Sequence, residues 1–112
     1  MKYPKLFAPG KIGNLTIKNR IVMCALAMGV SDEKQCIGDD FMAYLMERAK
    51  GGVGMIVLEN TRVDDEHGVA APKQASLARD EQIAPMAKAV EALHAQDVKV
   101  FAQLHHPGRE TF

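Results

Sequence analysis

Three short segments, each directly after an apolar run, hold the residues of this chain that could bind a ligand. They are Ala25-Leu26-Ala27, Glu59-Asn60-Thr61 and Gln103-Leu104-His105-His106. Gln103 differs in kind from the others, because one carboxamide presents an acceptor and two donors in a single plane. A glutamine that faces a pocket therefore suits a flat heterocycle with an imide-like edge. The alternative, a glutamine that binds loop backbone, fits the spacing equally well.

Other kinds of site fit these residues less well. His105 and His106 are neighbours at a strand end and point to opposite faces, so they make a poor joint metal site. His105 is also expected to leave the strand on the side opposite to Gln103. The glycine-rich residues 51–54 lie between a helix end and a strand start, which is the wrong order for a phosphate-binding loop. The charged residues 64–67 match no calcium-binding loop, and we expect no metal site.

These segments are positioned by predicted strands. Lys11-Ile12 and residues 15–17 flank Gly13-Asn14, a two-residue turn that is typical of a β-hairpin. Apolar runs at residues 20–26 (RIVMCAL), 55–59 (MIVLE) and 98–104 are typical of buried parallel strands.

Two amphipathic helices are predicted between those strands. Asp39 or Asp40 is expected to cap the first helix, and Gly51-Gly52 to end it. Asp80 is expected to cap the second helix, after a long polar loop over residues 60–79. The apolar stripes consist of Phe41, Met42, Leu45, Met46 and Ala49 in the first helix, and Ile83, Met86, Ala87, Val90, Leu93 and His94 in the second.

The resulting order, a hairpin followed by β-α-β-α-β, is typical of an α/β fold with a parallel sheet and right-handed crossovers. Because functional groups in such folds lie at the carboxyl ends of the strands, the three segments should meet at one edge of the sheet. The 112 residues contain no internal linker or repeat, so one domain over residues 1–112 is expected.

The composition excludes several classes of function. Lys plus Arg and Asp plus Glu number 14 each, so the formal charge is zero and neither nucleic acid nor an anionic membrane is an expected partner. With 47% hydrophobic residues the chain can bury a core. The longest apolar run, residues 21–30, is too short to span a bilayer, and no signal peptide is evident, so a cytoplasmic location is expected. Cys24 is interpreted as an apolar strand residue and Cys36 as a loop thiol.

Three stretches carry a resemblance to a known family: LFAPGKIGNLTIKNRIVM at residues 6–23, ERAKGGVGMIVLE at 47–59 and QLHHPGR at 103–109. In this order and spacing they resemble the amino-terminal part of the Old Yellow Enzyme family, which includes flavin-dependent enoate reductases and 2,4-dienoyl-CoA reductases. The resemblance implies a TIM-type (β/α)8 barrel with FMN across the carboxyl ends of its strands. In this family NAD(P)H reduces the flavin, which then gives hydride to an activated alkene or a similar small-molecule acceptor.

The resemblance also implies roles for five cofactor-binding residues. Ala25, Leu26 and Ala27 would lie against the isoalloxazine ring, Asn60 near the ring, and Gln103 against its pyrimidine edge. Many relatives have Pro where Ala25 stands, Thr or Cys where Ala27 stands, and Ala or Gly where Asn60 stands. The redox tuning of this chain is therefore expected to differ from that of such relatives, although the fold is not.

A complete barrel needs about 200 to 250 residues, and only three of its eight strands are predicted here. We therefore expect the amino-terminal portion of an FMN-dependent oxidoreductase, inactive by itself and without an identifiable catalytic residue. It is expected to associate with further copies of itself or with a complementary carboxyl-terminal portion of the barrel. The alternative is a half-barrel that self-associates or binds a partner and has no catalytic role.

Overall fold

The structure, a computed structural model, describes residues 2–112. Its elements follow the predicted order, preceded by a short helix that sequence reasoning missed. In chain order they are α1 (Pro4–Phe7), β1 (Gly10–Ile12), β2 (Leu15–Ile17), β3 (Val22–Met23), α2 (Asp39–Lys50), β4 (Met55–Arg62), α3 (Ile83–His94) and β5 (Lys99–His105). Short 3₁₀ turns precede α3 at Asp80–Gln82 and follow β5 at Gly108–Glu110. Within residues 2–112 no helix is long and apolar enough to cross a membrane.

The predicted hairpin and the predicted parallel sheet are both present. β1 and β2 pair antiparallel around a turn in which Gly13 has a φ of 56°, a left-handed conformation that glycine adopts without a side-chain clash. β3, β4 and β5 form a parallel sheet with β4 in the centre. Parallel strands joined by helical crossovers bring their carboxyl ends to one edge, where the candidate residues lie.

The two long helices cover one face of this sheet. Leu45 of α2, Leu93 of α3 and Ile56 of β4 are each at most 1% exposed and belong to one hydrophobic core. Val100 of β5 packs against the same core, so alternation along the strand points Gln103 to the opposite face. The face opposite α2 and α3 is called the inner face below.

Two predicted strand lengths are wrong. Residues 20–26 contain a strand of only two residues, because beyond Met23 the backbone leaves its pairing with β4 and the Met28 N–H donates to the Glu59 carboxylate instead. Cys24 is consequently exposed and lies outside the strand. β4, conversely, continues past residue 59 because its polar half stays paired with β5. Asn60 therefore lies in a strand rather than at the start of a loop.

The predicted N-caps of both helices are also wrong, whereas the first helix ends at Gly51 as predicted. Gly38 occupies the N-cap position of α2, and the two aspartates expected there lie in the first turn, where their charge still favours the positive end of the helix. Before α3, Arg79 precedes the 3₁₀ turn that contains Asp80. The Gln82 side chain accepts the Arg79 backbone N–H at 3.0 Å, and the Asp80 side chain caps no helix.

Candidate functional site

Asn60 and Gln103 form the centre of the candidate site. They are register partners on β4 and β5, directly after an irregularity between Leu58 and Asn60 in which Glu59 is the extra residue. Register partners in a parallel sheet point to the same face, and neighbouring strands lie about 4.8 Å apart. Two carboxamides therefore stand side by side on the inner face at the carboxyl edge of the sheet.

The hydrogen-bonding capacity of these two side chains is largely unused. Asn60 Oδ1 is buried and has no hydrogen-bond partner among residues 2–112, whereas the Asn60 backbone oxygen accepts the Gln74 Nε2–H at 2.7 Å. Gln103 is exposed, and none of the side-chain hydrogen bonds within residues 2–112 involves it. The alternative in which Gln103 binds loop backbone is therefore not the arrangement found.

The segment Ala25-Leu26-Ala27 reaches the same edge from β3. Leu26 is 59% exposed, and its neighbours are small. The next residue, Met28, donates its backbone N–H to Glu59 Oε2 at 2.8 Å, which ties the segment to the residue before Asn60. The structure thus brings all three predicted segments to one edge of the sheet.

Glu59 holds two loops at this edge, a role that sequence reasoning missed. Its side chain is buried, and its two oxygens accept the backbone N–H of Met28 at 2.8 Å and that of Ala75 at 3.1 Å. Hydrogen bonds to an ionised acceptor are stronger than neutral ones, so Glu59 fixes the loop after β3 and the loop after β4 to one strand end. The available signal was a carboxylate at the end of an apolar run, since a buried carboxylate requires partners.

Gln74 and His105 support the same strand ends. Gln74 is 2% exposed; its Oε1 accepts the Ala70 N–H at 2.9 Å, and its Nε2 lies 3.4 Å from His105 Nδ1. His105 lies two residues after Gln103 within β5, so both side chains point to the inner face. The expectation that His105 leaves on the opposite side is therefore wrong, because β5 keeps its regular alternation through His105.

Asp65 anchors the remainder of the loop after β4. Its Oδ1 accepts from Arg62 Nε at 2.5 Å and from Ser76 Oγ at 2.7 Å, and its Oδ2 accepts from Arg79. Burial acts to raise the pKa of Asp65, but the hydrogen bonds from Ser76 and Arg62 and the charges of both arginines outweigh it and hold the pKa below its ordinary value. The carboxylate is therefore charged at neutral pH and fastens the loop to the end of β4.

A separate cavity of about 270 Å³ lies between the loop after β3 and the start of α2. It is lined by Gly29, Val30, Ser31, Asp32, Gly38, Asp39, Asp40 and Lys73. None of the five predicted residues lines this cavity, so it is distinct from the strand-end site. Among residues 2–112 no three His, Cys, Asp or Glu side chains are grouped closely enough to hold a metal ion.

A parallel β-α-β-α-β unit with polar side chains at its strand ends is typical of α/β folds whose site lies at the carboxyl ends of the strands, and the solved structures described below assign it to a (β/α)8 barrel. A sequence model of the NADH:flavin oxidoreductase / NADH oxidase family matches residues 5–112, and the chain belongs to this family. The predicted family and fold class, an amino-terminal part of the barrel, are both confirmed. FMN is the cofactor of the family, and NAD(P)H is its reductant.

Individual relatives agree with this assignment. The NADH oxidase of Thermoanaerobacter brockii is 41% identical over 109 residues, which are 97% of this chain and 17% of that protein. The NADPH dehydrogenase of Listeria monocytogenes serotype 4b is 39% identical over 107 residues, 95% of this chain and 31% of that protein.

Solved structures show the same likeness. An Old Yellow Enzyme homologue from Zymomonas mobilis has a TM-score of 0.86 at 30% identity, over 96% of this chain and 30% of that structure. A 2-naphthoyl-CoA reductase bound to 2-naphthoyl-CoA has a TM-score of 0.92 at 31% identity, over 98% of this chain and 17% of that structure. The chain thus spans less than a third of the length of these relatives.

Proposed function

We propose that this chain holds the isoalloxazine ring of FMN in an NAD(P)H-dependent flavin oxidoreductase. The observation that carries the proposal is the Asn60–Gln103 pair, two carboxamides in register at one sheet edge, of which Gln103 is exposed and makes no side-chain hydrogen bond within residues 2–112. The pyrimidine edge of the ring presents carbonyl oxygens beside an N–H, and an amide can donate and accept in one plane. Gln103 is assigned to that edge, and Asn60 lies next to it.

The other predicted residues fit a flat ring as well. Ala25 and Ala27 carry only methyl groups, so a ring can approach their backbone, and the exposed Leu26 offers apolar surface. Glu59 fixes this segment through the amide of Met28, which limits how far it must reorganise around a ligand. Bound FMN would supply hydride transfer from NAD(P)H to a small-molecule acceptor such as an activated alkene. The residues named here bind and orient the ring.

We assign no catalytic residue within the chain. The relatives are more than three times as long as the part that matches, and a closed barrel needs five further strands. We propose that groups contacting the substrate and the FMN phosphate belong to a complementary part of the barrel, in the same polypeptide or in another subunit. The isolated 112 residues should therefore show no turnover.

The test is the flavin content of the intact polypeptide that contains these residues. After purification it should show flavin absorbance, the released flavin should co-chromatograph with FMN, and NADH or NADPH should bleach the absorbance under anaerobic conditions. A protein that carries no flavin and binds no added FMN would refute the proposal.

A second candidate function, self-association or partner binding without catalysis, is favoured by the exposed apolar side chains of β5. Phe101 is 42% exposed and Leu104 is 64% exposed, on opposite faces of a strand that has β4 as its one neighbour within residues 2–112. An open strand edge is a template for pairing with another chain. Light scattering coupled to size exclusion separates the two functions: an oligomer without flavin supports the second, and bound FMN supports the first.

A further inference from the structure

His105 is a half-buried residue of the inner face whose imidazole has one polar contact within residues 2–112. Its Nδ1 lies 3.4 Å from Gln74 Nε2, and its Nε2 makes no hydrogen bond within those residues. A neutral imidazole carries its hydrogen on one of its two nitrogens, so Nε2 is either a donor or an acceptor. Which of the two it is depends on the group that faces Nδ1.

Gln74 is held firmly beside this ring. Its side chain is only 2% exposed. The next residue, Ala75, donates its N–H to Glu59 at 3.1 Å and accepts the Arg62 backbone N–H at 2.9 Å, which fastens this part of the loop to the end of β4. Because buried side chains are closely packed, the Gln74 carboxamide has little freedom to leave His105.

Two partners other than His105 fix the orientation of the Gln74 carboxamide. Its Oε1 accepts the Ala70 N–H at 2.9 Å, and its Nε2 donates to the Asn60 backbone oxygen at 2.7 Å. A half-turn of the amide would place its oxygen against the Asn60 oxygen and its NH₂ group against the Ala70 N–H, so both bonds would be lost. The contact with His105 is the longest of the three, and the group that faces Nδ1 there is the second hydrogen of Gln74 Nε2.

We propose that Gln74 is a positioning residue that sets the tautomer of His105. Nδ1 accepts a hydrogen bond from Gln74, and the imidazole hydrogen is therefore on Nε2. The strand-end site thus receives from His105 a hydrogen-bond donor of fixed polarity. This inference goes beyond the proposed function and concerns the chain itself, so it does not require FMN to be bound.

The fixed donor makes His105 a specificity-determining residue. Gln103, two residues earlier on the same face of β5, has an exposed carboxamide that can turn to present either its oxygen or its NH₂ group. His105 cannot reverse its polarity without losing the hydrogen bond from Gln74. A ligand group beside His105 Nε2 must therefore be an acceptor, such as a carbonyl or carboxylate oxygen, and an N–H or O–H donor is disfavoured there.

¹⁵N NMR of the imidazole nitrogens in the intact polypeptide that contains these residues tests the tautomer. The spectrum is recorded above the titration range of the ring, and the His105 signals are assigned by their loss in His105→Gln. Nε2 should resonate as a protonated nitrogen and Nδ1 as an unprotonated one. One hydrogen bond should favour this tautomer about three- to tenfold beyond its ratio in free histidine. A protonated Nδ1 in the parent protein overturns the proposal.

Gln74→Glu reverses the polarity of the group that faces Nδ1. An ionised carboxylate has no hydrogen to donate, and a protonated one has a single hydrogen, which the Asn60 backbone oxygen takes. In either state an oxygen faces His105, so Nδ1 should become the protonated nitrogen. An Nδ1 that stays unprotonated in the folded variant overturns the assigned role of Gln74.

Gln96→Glu is the matched control, because it adds the same charge at an exposed residue in the turn before β5. It should leave the His105 signals unchanged, and a change of tautomer in both variants overturns the role of Gln74. If Gln74→Glu does not fold, Gln74→Met serves instead, because its side chain is of similar length and has no N–H. The tautomer ratio should then fall about three- to tenfold, to that of free histidine, and an unchanged ratio overturns the proposal.

The outcomes separate this inference from the proposed function, because the spectrum can be recorded with and without flavin. A protein that binds no FMN but carries the His105 hydrogen on Nε2 overturns the proposed function alone. A protein that binds FMN but carries the hydrogen on Nδ1 overturns this inference alone.

Discussion

The substitution Glu59→Gln tests how the strand ends are held together. The side chain keeps its shape, but one oxygen becomes an NH₂ group that cannot accept a hydrogen bond. Either the Met28 N–H, now bonded at 2.8 Å, or the Ala75 N–H, now bonded at 3.1 Å, must then face a donor. Because Glu59 is only 3% exposed, water does not readily replace the lost bond.

Two opposing effects set the size of the change. A hydrogen bond to a charged group contributes about 1.5 to 3 kcal/mol, and the substitution removes one such bond and the charge assistance of the other. It also removes a buried charge for which residues 2–112 provide no salt-bridge partner, which recovers part of the desolvation cost. We expect the lost hydrogen bond to outweigh the recovered desolvation cost, because a buried N–H is left unpaired. The free energy of unfolding should therefore fall by about 1 to 3 kcal/mol.

Amide hydrogen exchange locates this effect, and urea unfolding of the intact polypeptide gives its size. In Glu59→Gln the amide of Met28 or Ala75 should lose about tenfold or more of its protection. The control is Glu47→Gln, an exposed side chain whose salt bridge to Lys50 is 3.6 Å long, and it should change the free energy of unfolding by less than about 0.5 kcal/mol. Parent-like protection of both amides in Glu59→Gln would refute the reasoning.

Three further tests address other parts of the structure. Gln103→Leu should weaken FMN binding by the intact polypeptide by about 1 to 3 kcal/mol in a fluorescence titration, and His105→Ala should weaken it less; the reverse order would contradict the assignment of Gln103. Asp65→Asn should lower the urea midpoint at neutral pH, and the midpoint of the variant should decrease less than that of the parent as the pH falls. The reason is that a carboxylate of lowered pKa stabilises the fold above its unfolded-state pKa of about 3.9, and this contribution is lost as the pH falls through the folded-state value; a parent-like pH profile would argue against it. Gly54→Ala should lower the free energy of unfolding by about 1 to 3 kcal/mol, because an added Cβ would lie 2.6 Å from Asn19 Oδ1, and an unchanged urea midpoint would exclude this clash.

The order of the elements could be predicted from the sequence because it depends on local periodicity. The helical spacing of apolar residues indicated α2 and α3, and both helices include their predicted stripes. Strand lengths could not be predicted in the same way, because they depend on the partner strand. The apolar residues 20–26 make only two register pairs with β4, whereas polar residues 60–62 stay paired with β5.

The candidate site was predictable in its ligand-facing residues and not in those that support them. Gln103 stands out by residue type and by the motif around it. Glu59 reaches amides 31 and 16 residues away, and Gln74 lies 31 residues from His105. No local pattern reports such contacts, because they depend on how the loops fold back across the strand ends.

The supporting residues at this edge differ from the ligand-facing residues in how many of their side-chain donors and acceptors are already bonded within the chain. Glu59 and Gln74 use their side chains on groups of the chain itself, so a ligand could engage them only by breaking those bonds. Asn60 and Gln103 retain side-chain capacity on a backbone that the supporting residues hold in position. If this division is correct, Glu59→Gln should weaken FMN binding although Glu59 is not assigned a contact with FMN, because both loops beside the ring would loosen. Its effect should fall on oxidised and reduced FMN alike.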